Sequence, residues 1–474
     1  MKKNDMLLML CAIAFSGLFY KQLAGINALL FTLMISAILP IFNPGIAGEK
    51  RWWLYALCSI SAGLAVFINA SALSIFALHV SLLILASKAY VPRNSIMANG
   101  LFALYSLART PFDIASGSWK YFNDAGVGEK ANRRKLIIGI PIALLISIFF
   151  LLLYREANPL FKEFTEHLDL SWINVSWILF TVLGLIIAFG LTHSRTVSYL
   201  ADLDLKWLKN EERSAQNETG GFDSNTVIAV TLFGLLNVML LIINYLDIWN
   251  IYVNGKLPAG VTLSDFVHQA VESVILSILI GITFIAWLFK GALNFSRNGK
   301  WARLAVYAWI IQSALMVMNT IVRNYWYINE YQLTEQRIGV YVFLGLCLCG
   351  LLLTFLKLRN CKSAWWLVEI NAQTWFLVLI FSSLVNWDRA ITDFNLSRSG
   401  LTHRLDKEYL LKLGQGNLTQ LTVLHNNGQM NRKERTLLYK KLLRAYKKNR
   451  FQQWPGYSLK MNQCNNALMQ LELK

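Results

Sequence analysis

The chain has 474 residues, of which 55% are hydrophobic and only 15% carry a charge. Soluble proteins usually contain about a quarter charged residues. These values therefore exclude a water-soluble enzyme, a disordered protein and a disulfide-rich scaffold. They predict an all-α, polytopic transmembrane helix bundle. Lys and Arg total 45 against 27 Asp and Glu, so the net charge of +18 also needs an explanation.

Apolar stretches long enough to cross a membrane recur along the chain. A helix needs about 20 apolar residues to cross a hydrocarbon core of about 30 Å. Nine stretches are candidates, of which the first is the shortest: 6–20, 23–42, 136–154, 172–192, 226–246, 270–289, 304–322, 338–356 and 365–385. Residues 52–87 contain no charge and are long enough for two further spans, turned at Asn69-Ala70-Ser71. The sequence therefore predicts about eleven spans, with twelve as the alternative.

The first stretch, 6–20, has two interpretations. Lys2 and Lys3 before a short apolar segment are also typical of a secretory signal peptide. However, Phe19 and Tyr20 at its end do not fit a small-residue cleavage site, and another span follows directly. We therefore expect a retained helix.

Residues 96–115 could form the twelfth span, but they contain Arg109, Pro111 and Asp113. Arg109 and Asp113 are four residues apart, so on a helix they share a face and can pair. A charged pair in the middle of a bilayer is costly unless protein or water surrounds it. An interfacial or re-entrant helix is therefore the preferred interpretation.

The loops predict the orientation of the chain in its membrane, because Lys and Arg concentrate in short cytoplasmic loops. With eleven spans and a cytoplasmic amino terminus, the inner segments hold 22 Lys and Arg and the outer loops hold 6. If 96–115 crossed the membrane, most of this bias would be lost or reversed. In the eleven-span topology, residues 1–389 form the bundle and 193–225 form an inner loop. The tail, 390–474, lies outside.

The tail carries 15 Lys and Arg against 5 Asp and Glu. Helices are predicted at 405–413 and 432–450, and in the second Leu438, Leu442 and Tyr446 fall on one stripe. This helix could lie on anionic lipid headgroups, or it could be a solvated helix whose apolar stripe packs on its neighbours. The candidate lipid contacts are Lys440, Lys441, Arg444, Lys447 and Lys448. We expect no nucleic-acid partner, because the tail is tethered to the bilayer, and the sequence identifies no protein partner.

Cofactor and metal motifs are not found in the sequence. The six Cys and six His are scattered, without the spacing of a zinc site or of a disulfide framework. No P-loop, Gly-x-Gly-x-x-Gly or Gly-x-Ser-x-Gly motif occurs. We therefore expect no cofactor and no metal. Glu369, within the last span, is the clearest intramembrane carboxylate and by default a candidate functional group.

Four polar stretches fall in predicted outer loops: 155–161 (REANPLF), 255–268 (GKLPAGVTLSDFVH), 327–337 (YINEYQLTEQR) and 386–389 (NWDR). With these stretches, most of residues 1–395 resembles a family of bacterial multi-spanning membrane proteins that is catalogued only as a domain of unknown function. The resemblance implies a membrane bundle and brings no activity with it.

Because all four stretches are predicted on the outer side, their polar residues form a candidate site together with Arg323, which lies in the same predicted outer loop as the third stretch. This candidate outer-face polar cluster consists of Arg155, Glu156, Asn158, Asp265, His268, Arg323, Glu330, Glu335, Arg337, Asp388 and Arg389. Arg and carboxylate groups can capture a polar ligand, or they can cap helices and pair with one another. The leading functional hypothesis is a non-enzymatic sensor, scaffold or assembly factor. A transporter of a polar or anionic small molecule and a membrane-embedded enzyme that uses outer carboxylates are the alternatives.

Overall fold

The computed structural model describes residues 3–115, 147, 150–151, 154–155, 157–165, 174–209, 224–254, 262–289, 293, 299–398 and 405–472. Within these ranges every regular element is a helix and no strand occurs. The predicted all-α class is therefore confirmed. The chain divides into two compact units, one formed by 1–93, 99–197 and 452–458 and the other by 94–98, 198–451 and 459–474.

The first unit contains the helices of the amino-terminal part of the chain. They are α1 (Lys3–Phe19), α2 (Ile26–Phe42), α3 (Lys50–Asn69), α4 (Ala72–Lys88), most of α5 (Ile96–Ala115), α6 (Pro159–Phe164) and α7 (Val175–Thr192). Helix α2 packs on α3, α3 on α4, and α1 on α7. The predicted turn between α3 and α4 is confirmed: Ala70 has a left-handed backbone, and the Ser71 side chain caps α4.

Helix α5 is amphipathic, and its charged residues pair as the sequence predicts. Arg109 Nε lies 3.5 Å from Asp113 Oδ1, and Arg195 Nε lies 2.9 Å from Asp113 Oδ2. The Asp113 side chain is buried, whereas both arginines are partly exposed. Two cations thus compensate one buried carboxylate, as a buried charge requires.

A short piece of the tail, 452–458, belongs to the first unit. The Ile26 N–H donates to the Tyr457 carbonyl at 2.8 Å, and the Leu23 N–H donates to Gln452 Oε1 at 2.6 Å. A Cβ atom on Gly25 would lie 2.2 Å from the Tyr457 carbonyl oxygen. The loop before α2 can therefore receive this segment only because residue 25 has no side chain.

The second unit contains the remaining long helices and most of the tail. Its bundle helices are α8 (Ser198–Leu208), α9 (Ser224–Ile248, continued by a π-helical turn, Trp249–Asn254), α10 (Leu263–Leu288), α11 (Gly299–Tyr331), α12 (Glu335–Arg359), α13 (Ala364–Leu384) and α14 (Trp387–Arg398). Helix α11 packs against α9, α10 and α12, and α12 packs against α13. Phe233, Trp309 and Leu344 lie in the shared apolar core.

The tail forms a small helical layer with its own core. Its helices are α15 (Lys407–Lys412), α16 (Leu418–Asn426), α17 (Arg432–Asn449) and α18 (Leu459–Glu472), so α15 and α17 occupy the two predicted tail helices. On α17, Leu438 and Leu442 are buried among tail residues such as Leu421, whereas Tyr446 is exposed. The apolar stripe of α17 therefore packs mainly on its neighbours.

Among the described residues, six helices are long and apolar enough to cross a membrane. They are Lys50–Asn69, Ser224–Asn254, Asp265–Leu288, Gly299–Tyr331, Glu335–Arg359 and Ala364–Leu384. Four shorter apolar helices are Met6–Phe19, Ile26–Phe42, Ala72–Lys88 and Ser176–Thr192. These ten helices coincide with ten of the eleven predicted spans and identify a membrane protein. The remaining prediction, 136–154, lies mostly outside the described residues.

Candidate functional site

Asp388, in the first turn of α14, binds the loop between α15 and α16. Its Oδ1 accepts the Gly414 N–H at 3.1 Å and its Oδ2 accepts the Gly416 N–H at 2.9 Å. Lys460 Nζ lies 3.7 Å from Oδ2. A Cβ atom on Gly414 would lie 2.3 Å from Oδ2, so this approach requires glycine there. Two backbone donors and one cation thus engage this carboxylate.

Arg337, near the start of α12, closes the turn that joins α11 to α12. Its Nη1 donates to the Tyr331 carbonyl at 2.6 Å and also to the Gln332 carbonyl. Its guanidinium lies 3.9 Å from the ring centroid of Tyr327. Carbonyls at a helix C-terminus lack partners within the helix and favour a cation. The structure therefore gives Arg337 a capping role at the end of α11.

The same turn contacts α14 and the tail. Asn395 accepts the Leu333 N–H at 2.8 Å and donates to the Leu333 carbonyl at 3.0 Å. The Glu335 N–H donates to the hydroxyl of Tyr409, in α15, at 3.0 Å. Burial raises the pKa of Tyr409 above its ordinary value. We call Leu333, Glu335, Asp388, Asn395 and Tyr409 the tail-docking layer.

Other members of the predicted cluster lie at helix ends or on exposed surfaces. Asp265 accepts a 2.6 Å hydrogen bond from the Thr262 hydroxyl, and the Thr262 side chain caps α10. Arg389 pairs with Asp393 at 3.4 Å on the exposed face of α14. Glu330 is exposed near the end of α11. His268 is within α10, but its side chain lies outside the description.

The first stretch of the predicted cluster belongs to the first unit. Asn158 Oδ1 accepts the Leu160 N–H at 3.0 Å, so Asn158 starts α6. Arg155 is partly buried, and Glu156 lies outside the described residues. Within the second unit, the structure brings Glu335, Arg337 and Asp388 together around the tail.

Arg323 has a separate environment between membrane-spanning helices. Its Nη2 pairs with Asp247 Oδ1, at the end of α9, and its guanidinium lies 4.0 Å from the ring centroid of Phe266, in α10. Asp247 was not among the predicted site residues, because it directly follows the predicted span 226–246. An acid at the edge of an apolar stretch was the available signal, since such a residue needs a partner.

A groove runs from this ion pair along three helices. We call it the α11 groove: α11 forms its floor, α9 and α10 form its walls, and its volume is about 590 Å³. Arg323, Asp247 and Phe266 lie at one end. Trp309 lies at the other end, where a Cβ atom on Gly281 would come within 2.2 Å of its indole ring.

Two further carboxylates hold the start of α5. Asp204, in α8, accepts hydrogen bonds from the Ser95 hydroxyl at 2.6 Å, the Ser95 N–H at 2.7 Å and Trp365 Nε1 at 2.7 Å. Glu369 Oε2 accepts the Ile96 N–H at 2.7 Å. Anionic groups stabilise a helix N-terminus, where N–H groups lack partners within the helix. This contact explains why an acid is retained within the last predicted span.

The five predicted lipid-contact residues of α17 do not share one environment. Lys440, Arg444, Lys447 and Lys448 are exposed. Lys441 is half-buried instead and donates to Asn417 Oδ1 at 2.9 Å. Burial lowers the pKa of Lys441 to about 8. The geometry therefore directs Lys441 into the tail.

Within the described ranges, no three His, Cys, Asp or Glu side chains are grouped so that they could hold a metal ion. All six cysteines are free thiols. Cys464 is buried beside Lys441 and Lys460, and burial raises its pKa to about 11. A thiol of this kind is a poor nucleophile at neutral pH.

Comparison with known proteins gives a family and no individual relative. No curated protein and no solved structure matches the chain. The model of a family described as a domain of unknown function, DUF4153, matches residues 6–424. This range contains the ten apolar helices, all four polar stretches and the tail-docking layer, and it ends within α16. The chain therefore belongs to the DUF4153 family.

Proposed function

We propose that this chain is a non-enzymatic scaffold of the bacterial inner membrane that presents a folded, basic tail at the outer surface. The observation that carries the proposal is the engagement of Asp388 by Gly414, Gly416 and Lys460. Together with Asn395 and Tyr409, it fixes the tail to the ends of α11, α12 and α14. A rigidly held tail is suited to presenting a constant surface to a partner or to the lipid.

The distribution of Lys and Arg supports this orientation. The 22 basic residues of the predicted inner segments against 6 in the outer loops favour a cytoplasmic amino terminus. Eleven spans then bring the tail outside. The tail's own net charge does not oppose this orientation, because long domains are exported largely regardless of charge.

Anionic headgroups are the proposed partner of the tail. Lys440, Arg444 and Lys447 on α17 are exposed, and the side chains of Tyr439 and Leu443 are exposed beside them. Basic residues near an anionic bilayer contribute about 1 kcal/mol each. Exposed aromatic and aliphatic groups add interfacial affinity.

The contacts of the polar residues favour a scaffold over the two alternatives. An enzyme would need a convergent acid and base in a pocket, whereas Asp388 and Arg337 are bonded to backbone groups. A transporter would need a polar site near the midplane, whereas Glu369 accepts bonds from the Ile96 N–H and Gln373.

A structural role of Asp388 can be distinguished from a role in ligand binding or catalysis by complementing a deletion strain with the Asp388→Asn variant. We expect lower membrane abundance and faster proteolysis of the tail, because a neutral amide cannot balance Lys460 and binds the two N–H groups more weakly. Asp202→Asn, at an exposed carboxylate of α8, is the control and should behave as the wild type. If Asp388→Asn instead fails to complement the deletion while its membrane abundance and tail protection stay normal, Asp388 belongs to a ligand or catalytic site.

The lipid contact can be tested with an environment-sensitive dye on full-length protein in nanodiscs. The dye would be attached at Tyr446→Cys, in a background without the native cysteines, with and without phosphatidylglycerol in the disc. We expect a blue shift only in the anionic discs, and its loss when Lys440, Arg444 and Lys447 become Gln. Asn427→Cys, on the turn before α17, is the control position. Equal spectra in both discs would contradict the lipid contact.

A further inference from the structure

The α11 groove has a polar end and an apolar end. The polar end is fixed by Arg323, which contacts both Asp247 and Phe266. The apolar end is lined by Leu232, Phe284 and Trp309. A surface that changes from polar to apolar along one direction is suited to an amphiphile, whose head and tail differ in the same way.

The groove is long enough to hold one lipid chain. Trp309 and Arg323 are 14 residues apart on α11, which is about 21 Å of helix. One leaflet of a bilayer is about 15 Å of hydrocarbon. Along the middle of the groove, the hydroxyls of Ser277 and Thr320 donate to carbonyls of their own helices. These two hydroxyls therefore require no polar partner from an occupant, whereas the Ser313 hydroxyl, which also lines the groove, has no partner among the described residues.

One donor at the polar end has no partner. Arg323 is 9% exposed, and its Nε is buried without a hydrogen-bond partner among the described residues. A buried donor without a partner costs about 1–3 kcal/mol. Asp247 already balances the charge of the guanidinium. Arg323 Nε therefore needs an uncharged acceptor oxygen rather than a second anion.

We propose that the α11 groove binds one acyl chain of a membrane glycerolipid, with an ester carbonyl oxygen accepting a hydrogen bond from Arg323 Nε. The chain end lies against Leu232, Phe284 and Trp309. The ester oxygen satisfies the buried donor, and the ion pair with Asp247 stays intact. The headgroup beyond the ester lies outside the groove, so the site selects the glycerol ester and not one headgroup.

Photolabelling tests the site in nanodiscs that contain full-length protein and a glycerolipid with a diazirine near the end of one acyl chain. After irradiation, we expect the label on peptides that contain Leu232, Phe284 or Trp309. Ser277→Trp fills the groove, and overpacking of this kind should lower that labelling about tenfold. Leu276→Trp is the matched control, because Leu276 is 60% exposed and does not line the groove.

A second variant tests the polar end without filling the groove. Arg323→Lys keeps a cation opposite Asp247 but removes the Nε donor. We expect about a fivefold loss of labelling at the apolar end, as for one lost hydrogen bond. Arg323→Lys leaves the tail-docking layer unchanged, so tail protection reports the fold of each variant independently of lipid binding.

The dependence of labelling on probe concentration distinguishes binding in the groove from non-specific contact with the surrounding lipid. This test does not depend on the folding of either variant. In wild-type protein, a site saturates as the mole fraction of the probe lipid rises. Linear labelling, or equal labelling of the Ser277→Trp and Leu276→Trp proteins, would overturn the proposal.

Discussion

Leu333 and Asn395 exchange two hydrogen bonds, in which the Asn395 side chain binds both the N–H and the carbonyl of Leu333. A side-chain amide thus completes the backbone of the turn between α11 and α12 as a neighbouring strand would. Asn395 is buried and Leu333 is half-buried, so water competes with these bonds less than it would at an exposed turn. The contact fastens α14, and through it the tail, to a helix turn 62 residues earlier in the chain.

We predict that Asn395→Ala loosens the tail-docking layer. Two bonds are lost and two backbone groups are left without partners, which should cost about 2 kcal/mol. Hydrogen exchange of residues 405–451 in detergent-solubilised protein measures this change. Ser397→Ala, at an exposed residue of the same helix, should leave exchange unchanged. Equal exchange in the two variants would show that the paired bonds do not hold the tail.

The stability of the tail should depend on pH through Lys441. The folded pKa of Lys441 is about 8, against an ordinary value of 10.5. Between these values the unfolded tail binds the extra proton, so stability rises with pH from about 8 upwards. The Cys464 thiol has a folded pKa of about 11 against 9.0. Above about pH 9 the unfolded tail loses the Cys464 proton that the folded tail keeps, which lowers the stability and cancels the gain from Lys441.

This pH dependence can be measured by following the unfolding of the tail between pH 7 and pH 10.5. Wild-type protein should gain stability mainly between pH 8 and pH 9. Cys464→Ala should extend the gain towards pH 10.5, and Lys441→Met should abolish it. A flat profile for the wild type, or an unchanged profile for Lys441→Met, would exclude the buried position of this lysine.

Glycines at residues 25 and 17 should respond in opposite directions to replacement by alanine. A Cβ atom on Gly25 would collide with the Tyr457 carbonyl at 2.2 Å, whereas one on Gly17, within α1, meets nothing within 4 Å. We expect Gly25→Ala to destabilise the first unit by about 1–3 kcal/mol. Gly17→Ala should stabilise it by up to about 1 kcal/mol. Thermal unfolding of both variants is the measurement, and equal shifts would contradict the contact of residues 452–458.

The spans could be predicted from the sequence because they depend on local composition. A run of about 20 apolar residues is a property of one segment, and ten of the predicted runs are apolar helices in the structure. The pairing of Arg109 with Asp113 was predictable for the same reason, since helical spacing alone places them together.

The partners of the polar residues could not be predicted, because they come from distant parts of the chain. Asp388 binds Gly414 and Gly416, and Arg323 pairs with Asp247, 76 residues earlier. These contacts depend on helix packing and not on any local pattern. Asp388 and Arg323 were both predicted as site residues, but their roles depend on these distant partners.

The proposed position of the tail on the outer surface needs a reporter other than the native tail cysteine. Cys464 is fully buried, and burial raises its pKa to about 11, so thiol reagents would label it slowly on either side of the membrane. Asn427, on an exposed turn of the tail, and Asp202, on the exposed face of α8, are better positions.

The most direct measurement is labelling of single cysteines by a membrane-impermeant maleimide in intact spheroplasts. Asn427→Cys and Asp202→Cys would each be placed in a chain whose six native cysteines are replaced by alanine. We predict that Asn427→Cys is labelled in intact cells and that Asp202→Cys is labelled only after permeabilisation. Labelling of Asn427→Cys only after permeabilisation would show that the tail lies on the cytoplasmic side.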